Sequence, residues 1–246
     1  HGSLLETAAA TVDAIGVTAD DVVFGVTTVF HVFGLGPGIL GTLAAGASLV
    51  LQEQFEPAEA LGLIEEHGAT VHYGVPTVFI TELRELDAGD YDVSSLRTGI
   101  VAGAPVGDEL VRRIQGGLVP QLCIAYSLTE TASTVSMTRP ADPEEKQAFT
   151  VGRPLEGVEL RVLDFDGTVL PEESLGEIGV RGPGVMKGYY RQPGETSHSF
   201  DDDGYFLTGD LGLVRPDGCL EWRGRMDDQI KVRGHTIEPA EIERAL

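Results

Sequence analysis

Positive charge is what this sequence has least of. Its 246 residues carry 39 acids against 17 lysines and arginines, a formal charge of −22, and only Lys146, Lys187 and Lys231 are lysine. Binding nucleic acid takes a basic surface to offset phosphate charge, so the balance argues against a nucleic-acid partner. An anionic bilayer repels the same surface. An acid excess of this size suits a protein kept soluble in high salt, where screening relieves self-repulsion, and equally an ordinary acidic protein of the cytoplasm.

Cysteine is nearly absent as well. Cys123 and Cys219 stand far apart, with no metal-ligand spacing and no secretory segment ahead of them, which predicts reduced thiols and a cytoplasmic location. Charge of either sign is missing from Val22 to Gln52, a stretch longer than the roughly 20 residues that cross a bilayer. Glycines and Pro37 break that stretch up. It divides into a strand VVFGVTTVF, a glycine-rich turn, a helix GILGTLAA and a strand ASLVLQ, so no membrane span is expected. Within it GPGILG, residues 36–41, fits G-x-G-x-x-G, with Glu53 where a dinucleotide fold keeps a ribose-binding acid. Glycine is abundant here, 32 in all, and small residues are also what close packing between elements demands.

What is present is alternation. PAEALGLIEEHG, VFITELREL and GDELVRRIQGGL read as helices, and ATVHYGVPTV, LRTGIVAGAP and QLCIAYSL as strands between them. Strand and helix in turn predict an α/β fold, a mostly parallel sheet flanked by helices, with functional loops at the carboxyl ends of its strands. AGAP and AYSLTE are two such ends and should be neighbours. After about residue 148 short strands (VELRVLD, GEIGVRG, GYFLTGD, CLEWRGR) alternate with turn pairs, the pattern of a smaller antiparallel β-rich subdomain. The expected division is therefore 1–147, 148–224 and a terminal piece 225–246.

Chemistry gathers at the strand ends. Gly103, Ala104 and Pro105 let backbone lie against a flat ring, and Tyr126 offers a stacking face for its other side. Thr129 supplies a hydroxyl for phosphate oxygens and Glu130 a hard carboxylate suited to magnesium. The plainer reading makes Tyr126 a half-buried strand-end aromatic and has Thr129 and Glu130 cap a following helix. Downstream, TGD places Asp210 in a tight turn where its oxygens could accept both ribose hydroxyls, with Arg225 close behind.

Taken in order, AYSLTE, VMKGYYRQPGET, YFLTGDLG and GRMDDQIKVRG resemble four signature segments of the adenylate-forming superfamily of acyl-CoA synthetases, amino-acid adenylation domains and beetle luciferases. That resemblance covers essentially the whole chain. It implies a carboxylic acid:CoA ligase that uses ATP, Mg2+ and coenzyme A, forms an acyl adenylate and then a thioester, and releases AMP. It further implies Tyr126 on the adenine opposite Gly103, Ala104 and Pro105, Thr129 on the phosphates, Glu130 on magnesium, and Asp210 and Arg225 on the ribose. Asp227 would be the hinge pivot, Gly234 would line the pantetheine tunnel, His31 would flank the acyl pocket, and Lys231 is a candidate catalytic group. Ser127 stands where the family keeps glycine, narrowing the space beside the ribose or the acyl carbonyl, and Thr236 where many members have arginine. The family's phosphate loop would precede His1, and its C-terminal domain would follow Leu246. The chain therefore reads as a central fragment, binding nucleotide weakly and forming no adenylate alone. The family alternatives are loading of a carrier protein and a non-catalytic binding fragment; a homodimer is possible. No acid lies between Asp21 and Glu53 to hold an α-amino group, and HVFGLG, VHYGVPT and AGAPV carry no formal charge, which favours a hydrophobic or aromatic acid.

Overall fold

A computed structural model describes residues 1–25, 28–228, 230–232 and 235–237, and for 144, 145, 148, 230–232 and 235–237 it covers the backbone. Helix α1 (Gly2–Ala14) leads into β1 (Val22–Gly25), a π-helical segment (Gly34–Gly41) running on into α2 (Thr42–Ala45), and β2 (Ser48–Leu51). Then follow α3 (Pro57–His67), β3 (Val71–Gly74), α4 (Pro76–Ala88), β4 (Thr98–Val101), α5 (Asp108–Gly117) and β5 (Gln121–Leu128). β2, β1, β3, β4 and β5 pair in that order, all parallel; β6 (Ser133–Met137) and β7 (Arg153–Pro154) extend the sheet antiparallel, with α6 (Glu144–Phe149) between them in sequence. A second, antiparallel sheet holds β8 (Glu159–Leu163), β9 (Gly176–Arg181), β10 (Phe206–Val214) and β11 (Leu220–Arg225), with α7 (Pro193–His198) between β9 and β10 in sequence. β12 (Ile230–Val232) and β13 (His235–Ile237) pair by themselves.

Local chemistry sets these limits. α3 starts at Pro57, whose fixed φ suits a first turn, with the Glu56 carboxylate accepting from Glu59 N at 2.8 Å, and it stops at Gly68 in the left-handed region. The expected strand ATVHYGVPTV ends early because Pro76 holds Val75 extended and opens α4. The expected strand VVFGVTTVF is also shorter: β1 stops at Gly25, Val26 and Thr27 lie outside the described residues, and Val29 and Phe30 form a turn. The glycine-rich stretch is not a turn between strand and helix. Gly36 to Gly41 lie inside the π-helical segment, which accommodates Pro37, a residue with no N–H to donate. Gly41 presses on α1, where a β-carbon would stand 2.5 Å from Val12 Cγ1. A helix interior packed on a helix is no phosphate loop, so the dinucleotide reading of GPGILG fails.

Residues of the parallel strands alternate between two cores. Phe24, Val101, Leu122 and Ile124 pack with Leu61, Phe79 and Ile114 from α3, α4 and α5, while Val23, Ile100 and Cys123 pack with Val12 of α1 and Met137. Both cysteines are free and buried. On the first face a fully buried polar pair joins β3 to α4: His72 Nε2 and Glu82 Oε2 are 2.8 Å apart, and Glu82 Oε1 has no partner among the described residues. Among the described residues no helix is long and apolar enough to cross a membrane.

A latch closes the amino ends of the parallel strands, opposite the functional loops. Arg97 donates to both Asp21 oxygens at 2.9 and 2.6 Å, Thr70 Oγ1 donates at 2.7 Å and Thr18 N at 2.8 Å. Burial alone would push the Asp21 carboxyl up, but these donors hold it at about 2 against 3.8. The carboxyl thus titrates lower folded than unfolded, so its stabilisation is full above the unfolded value and fades as pH falls toward the folded one. A depression of this size corresponds to roughly 2 kcal/mol at neutral pH. Asp21→Asn should lower the urea midpoint of the intact protein at pH about 7, and the gap to the parent should narrow as pH falls from about 5 to about 2. A gap independent of pH would contradict this assignment.

Candidate active site

The carboxyl ends of β1, β3 and β4 bring the uncharged stretches together. Phe33 and Tyr73 rings lie 6.1 Å apart, and a β-carbon on Gly103 would stand 3.3 Å from Val75 Cγ1. β4 and β5 are parallel neighbours, so AGAP leaves the sheet beside the AYSL half of β5, with Gly103, Ala104 and Pro105 exposed. His31 is exposed just ahead of the helical run; its Nδ1 accepts from Phe33 N at 3.2 Å, which directs Nε2 away from the helix.

β5 continues past the edge of β4 and carries Tyr126 to the joint between the two sheets. There the ring packs among Val135, Ile178, Val180 and Leu220. The open stacking face expected of Tyr126 is therefore mostly enclosed, the residue being 7% exposed. What it presents is its hydroxyl, which donates to Asp210 Oδ2 at 2.6 Å. Burial, the Asp210 charge and that hydrogen bond raise the phenol well above its usual value. Asp210 is buried too, and burial pushes its carboxyl up against the opposing pull of Tyr126 and Arg225. Arg225 faces it across the β10–β11 ladder, Nε to Oδ1 at 3.8 Å.

The tight turn expected at TGD is a bulge inside a strand. β10 runs through Thr208, Gly209 and Asp210, but its pairing with β9 shifts register between Leu207 and Leu211. Gly209 has φ +70°, a conformation other residues adopt only with strain, and its N–H donates to Glu177 Oε1 at 2.9 Å. Asp210 N donates to Thr208 Oγ1 at 3.1 Å, closing the bulge around the carboxylate.

Thr129 and Glu130 cap no helix. Thr129–Thr131 is one 3-10 turn, after which Ala132 and Ser133 take φ of 57° and 104° and turn the chain back into β6. Strained backbone of this kind persists where packing over-determines it. Thr129 is exposed and Ser127 half-buried on the last stretch of β5. Glu130 lines a cleft of about 360 Å³ with Thr208, Gly209, Glu177, Tyr189 and Arg225. Its Oε1 accepts from the Tyr189 hydroxyl at 2.9 Å. Tyr189 and Glu177 went unnoticed in the sequence: Tyr189 sits in VMKGYYRQPGET without any periodicity, and Glu177 only completes a strand.

The structure thus joins Tyr126, Asp210 and Arg225, and puts Glu130 and Arg225 on one cleft. Tyr126, Ser127, Thr129, Asp210, His31 and Gly103 to Pro105 are not among the residues lining it. Asp227 is exposed in the turn Met226–Asp228 after β11; Lys231 and Thr236 are described as backbone in β12 and β13, and Gly234 lies outside the described residues. Among the described residues no three His, Cys, Asp or Glu form a metal cluster. A magnesium ion here would take Glu130 together with phosphate oxygens and water, the mixed set that ion prefers, and a half-exposed carboxylate on an open cleft fits it.

A sequence profile of AMP-binding enzymes matches residues 1–190. The chain is 34% identical over 249 residues to the putative acyl-CoA synthetase YngI of Bacillus subtilis, covering all of this chain and 45% of that protein. It is 38% identical over 231 residues to a Mycobacterium tuberculosis 3-[(3aS,4S,7aS)-7a-methyl-1,5-dioxo-octahydro-1H-inden-4-yl]propanoyl:CoA ligase, covering 94% of this chain and 44% of that one. Among solved structures, ATP-bound MatB from Rhodopseudomonas palustris superposes with a TM-score of 0.91 at 32% identity, over 99% of this chain and 48% of its own. O-succinylbenzoate coenzyme A synthetase (MenE) from Bacillus subtilis, with ATP and magnesium ion, gives 0.88 at 29%, over 99% and 50%. The chain spans about half the length of the curated relatives it matches.

Proposed function

The chain belongs to the family of AMP-binding enzymes, and from that premise we propose that the protein carrying it is an ATP-dependent carboxylic acid:CoA ligase of the cytoplasm. The observation that carries the reading is the Tyr126–Asp210–Arg225 group at the sheet joint, whose Arg225 shares a cleft with Glu130 while Tyr126 and Asp210 are buried beside it.

In the first step an oxygen of the acid attacks the α-phosphorus of ATP, the bond from that phosphorus to pyrophosphate breaks, and pyrophosphate leaves with the electron pair. In the second a thiol sulfur attacks the acyl carbonyl, the bond to AMP breaks, and the thiol proton passes to solvent. No protein nucleophile is needed, so the protein's part is positioning and charge placement. Asp210 accepts both ribose hydroxyls, held in place by Tyr126 and its bulge, with Arg225 beside it. Backbone at Gly103, Ala104 and Pro105 meets one face of the base, and Tyr126 acts through its hydrogen bond to Asp210. Thr129 contacts phosphate oxygens. Bound Mg2+ would neutralise phosphate charge, and Glu130 is the residue that holds it. Asp227 is the pivot between the half-reactions; on the family resemblance alone, Gly234 is the pantetheine-tunnel glycine and Lys231 a candidate catalytic group.

The acid is hydrophobic or aromatic, a reading supported by the absence of formal charge in HVFGLG, VHYGVPT and AGAPV and by the Phe33 and Tyr73 rings lying 6.1 Å apart. His31, with Nε2 directed outward, stands where the acid's carboxylate and the thiol would approach. The acceptor is read from product: the intact protein given ATP, Mg2+ and a panel of carboxylic acids should yield an acyl-CoA thioester by mass spectrometry. Thioester only on a phosphopantetheinyl carrier protein would replace coenzyme A as acceptor, and no pyrophosphate with any acid would remove the ligase reading.

A further inference from the structure

The segment between β9 and α7 is built against the turn that carries Glu130. Met186 N donates to Glu130 O at 2.7 Å, and Gly184 lies so close to Thr131 O that a β-carbon would stand 2.4 Å from it. Tyr189 is fixed from behind: its N–H donates to Thr196 Oγ1 at 2.9 Å, which in turn donates to Gln192 O at 2.9 Å. From that platform the phenol reaches a residue 59 positions away in sequence and donates to Glu130 Oε1 at 2.9 Å.

We propose that Tyr189 is the positioning residue for Glu130, fixing the carboxylate so that Oε2 is aimed at the cation and phosphates in the cleft. The inference rests on the reading of Glu130 as a metal-holding group. The choice of side chain is informative. The terminal torsion of a glutamate is broad, so an unsupported carboxylate samples many orientations, and each must be given up on binding. Lysine or arginine in this place would fix it too, but would cancel the charge the cation needs and compete for it. A neutral phenol orients the carboxylate and leaves its charge intact. The hydrogen bond is charge-assisted, the class whose removal is felt most.

The test uses the intact protein with Mn2+ as probe and a non-hydrolysable ATP analogue, following bound Mn2+ by electron paramagnetic resonance. Tyr189→Phe should weaken Mn2+ binding about 10-fold, the loss expected for one hydrogen bond to a charged group. It should also raise the Mg2+ concentration for half-maximal pyrophosphate release by a similar factor, with kcat at saturating Mg2+ close to the parent's. Tyr190→Phe, at an 82% exposed neighbour stacked with Arg191, should change neither and controls for the loop. In the Glu130→Gln background Tyr189→Phe should cost little more. If Glu130→Gln weakens Mn2+ binding while Tyr189→Phe leaves it unchanged, the positioning role is wrong and the site reading stands. If Glu130→Gln itself leaves Mn2+ binding unchanged, the site reading falls and the positioning role with it.

Discussion

Asp210→Ala should bind ATP about 100-fold more weakly than the parent when calorimetry is run on the intact protein with Mg2+ present. The magnitude follows from hydrogen bonds to a charged group, each contributing roughly 1.5–3 kcal/mol, with two ribose hydroxyls on one carboxylate and incomplete additivity. The structure adds a reason for the loss to be large. Asp210 is 3% exposed and pinned at 2.6 Å by Tyr126, so its orientation is settled before nucleotide arrives. Removing the carboxylate also strands the Tyr126 hydroxyl in a buried joint. Tyr126→Phe keeps the carboxylate but frees it, and should weaken ATP binding by a smaller factor, about 5-fold. Equal effects of the two substitutions would mean that Tyr126 acts on nucleotide directly rather than through Asp210.

His72→Phe should destabilise the intact protein by about 3–5 kcal/mol, the cost of leaving one half of a buried polar pair without its partner. Both side chains are fully buried, the pair is 2.8 Å apart, and Glu82 Oε1 already lacks a partner. Phe24 and Phe79 pack on the imidazole, with ring centroids 5.2 and 4.9 Å away, so water does not replace the lost bond. The double variant His72→Phe/Glu82→Leu removes both polar groups and should recover most of the loss, because well-packed apolar replacements of a buried pair are often neutral or better. Chemical denaturation of the two singles and the double gives the coupling. A double variant no more stable than the worse single would show that the strand and helix are held by shape alone.

The fold was open to sequence reading where local chemistry and burial agree. α3 announces itself by Pro57, the Glu56 cap and Gly68, and the buried parallel strands by their apolar runs. It was closed where one residue type serves two structures. Gly209 needs a positive φ, which a tight turn and a strand bulge supply equally, and only pairing with β9 decides for the bulge. The glycines of GPGILG suit a phosphate loop or a close helix contact, and contact with α1 decides for the second. Likewise Thr129 and Glu130 carry cap chemistry, yet the chain turns back at Ala132 into β6 and no helix follows. At the site, Tyr126 and Asp210 meet across 84 positions of sequence and Tyr189 and Glu130 across 59. No periodicity encodes such meetings. The family resemblance set Tyr126 and Asp210 on the base and ribose of one nucleotide without a contact between them, and nothing suggested the second pair.

The ion-pair latch and the site divide the parallel sheet between its two ends. Asp21, Thr70 and Arg97 tie the amino ends, and the carboxyl ends carry the loops that the proposed function assigns to nucleotide. Substitutions at the first end should therefore move stability, and substitutions at the second should move binding.

On the proposed function, the cleft holding Glu130 and Arg225, with buried Asp210 at the adjoining sheet joint, activates a carboxylic acid with ATP. The measurement that decides this is exchange of labelled pyrophosphate into ATP by the intact protein, with and without a hydrophobic carboxylic acid. Exchange should require the acid and Mg2+ and be lost in Asp210→Ala and Glu130→Gln. Exchange without any acid, or exchange undiminished in both variants, would contradict it.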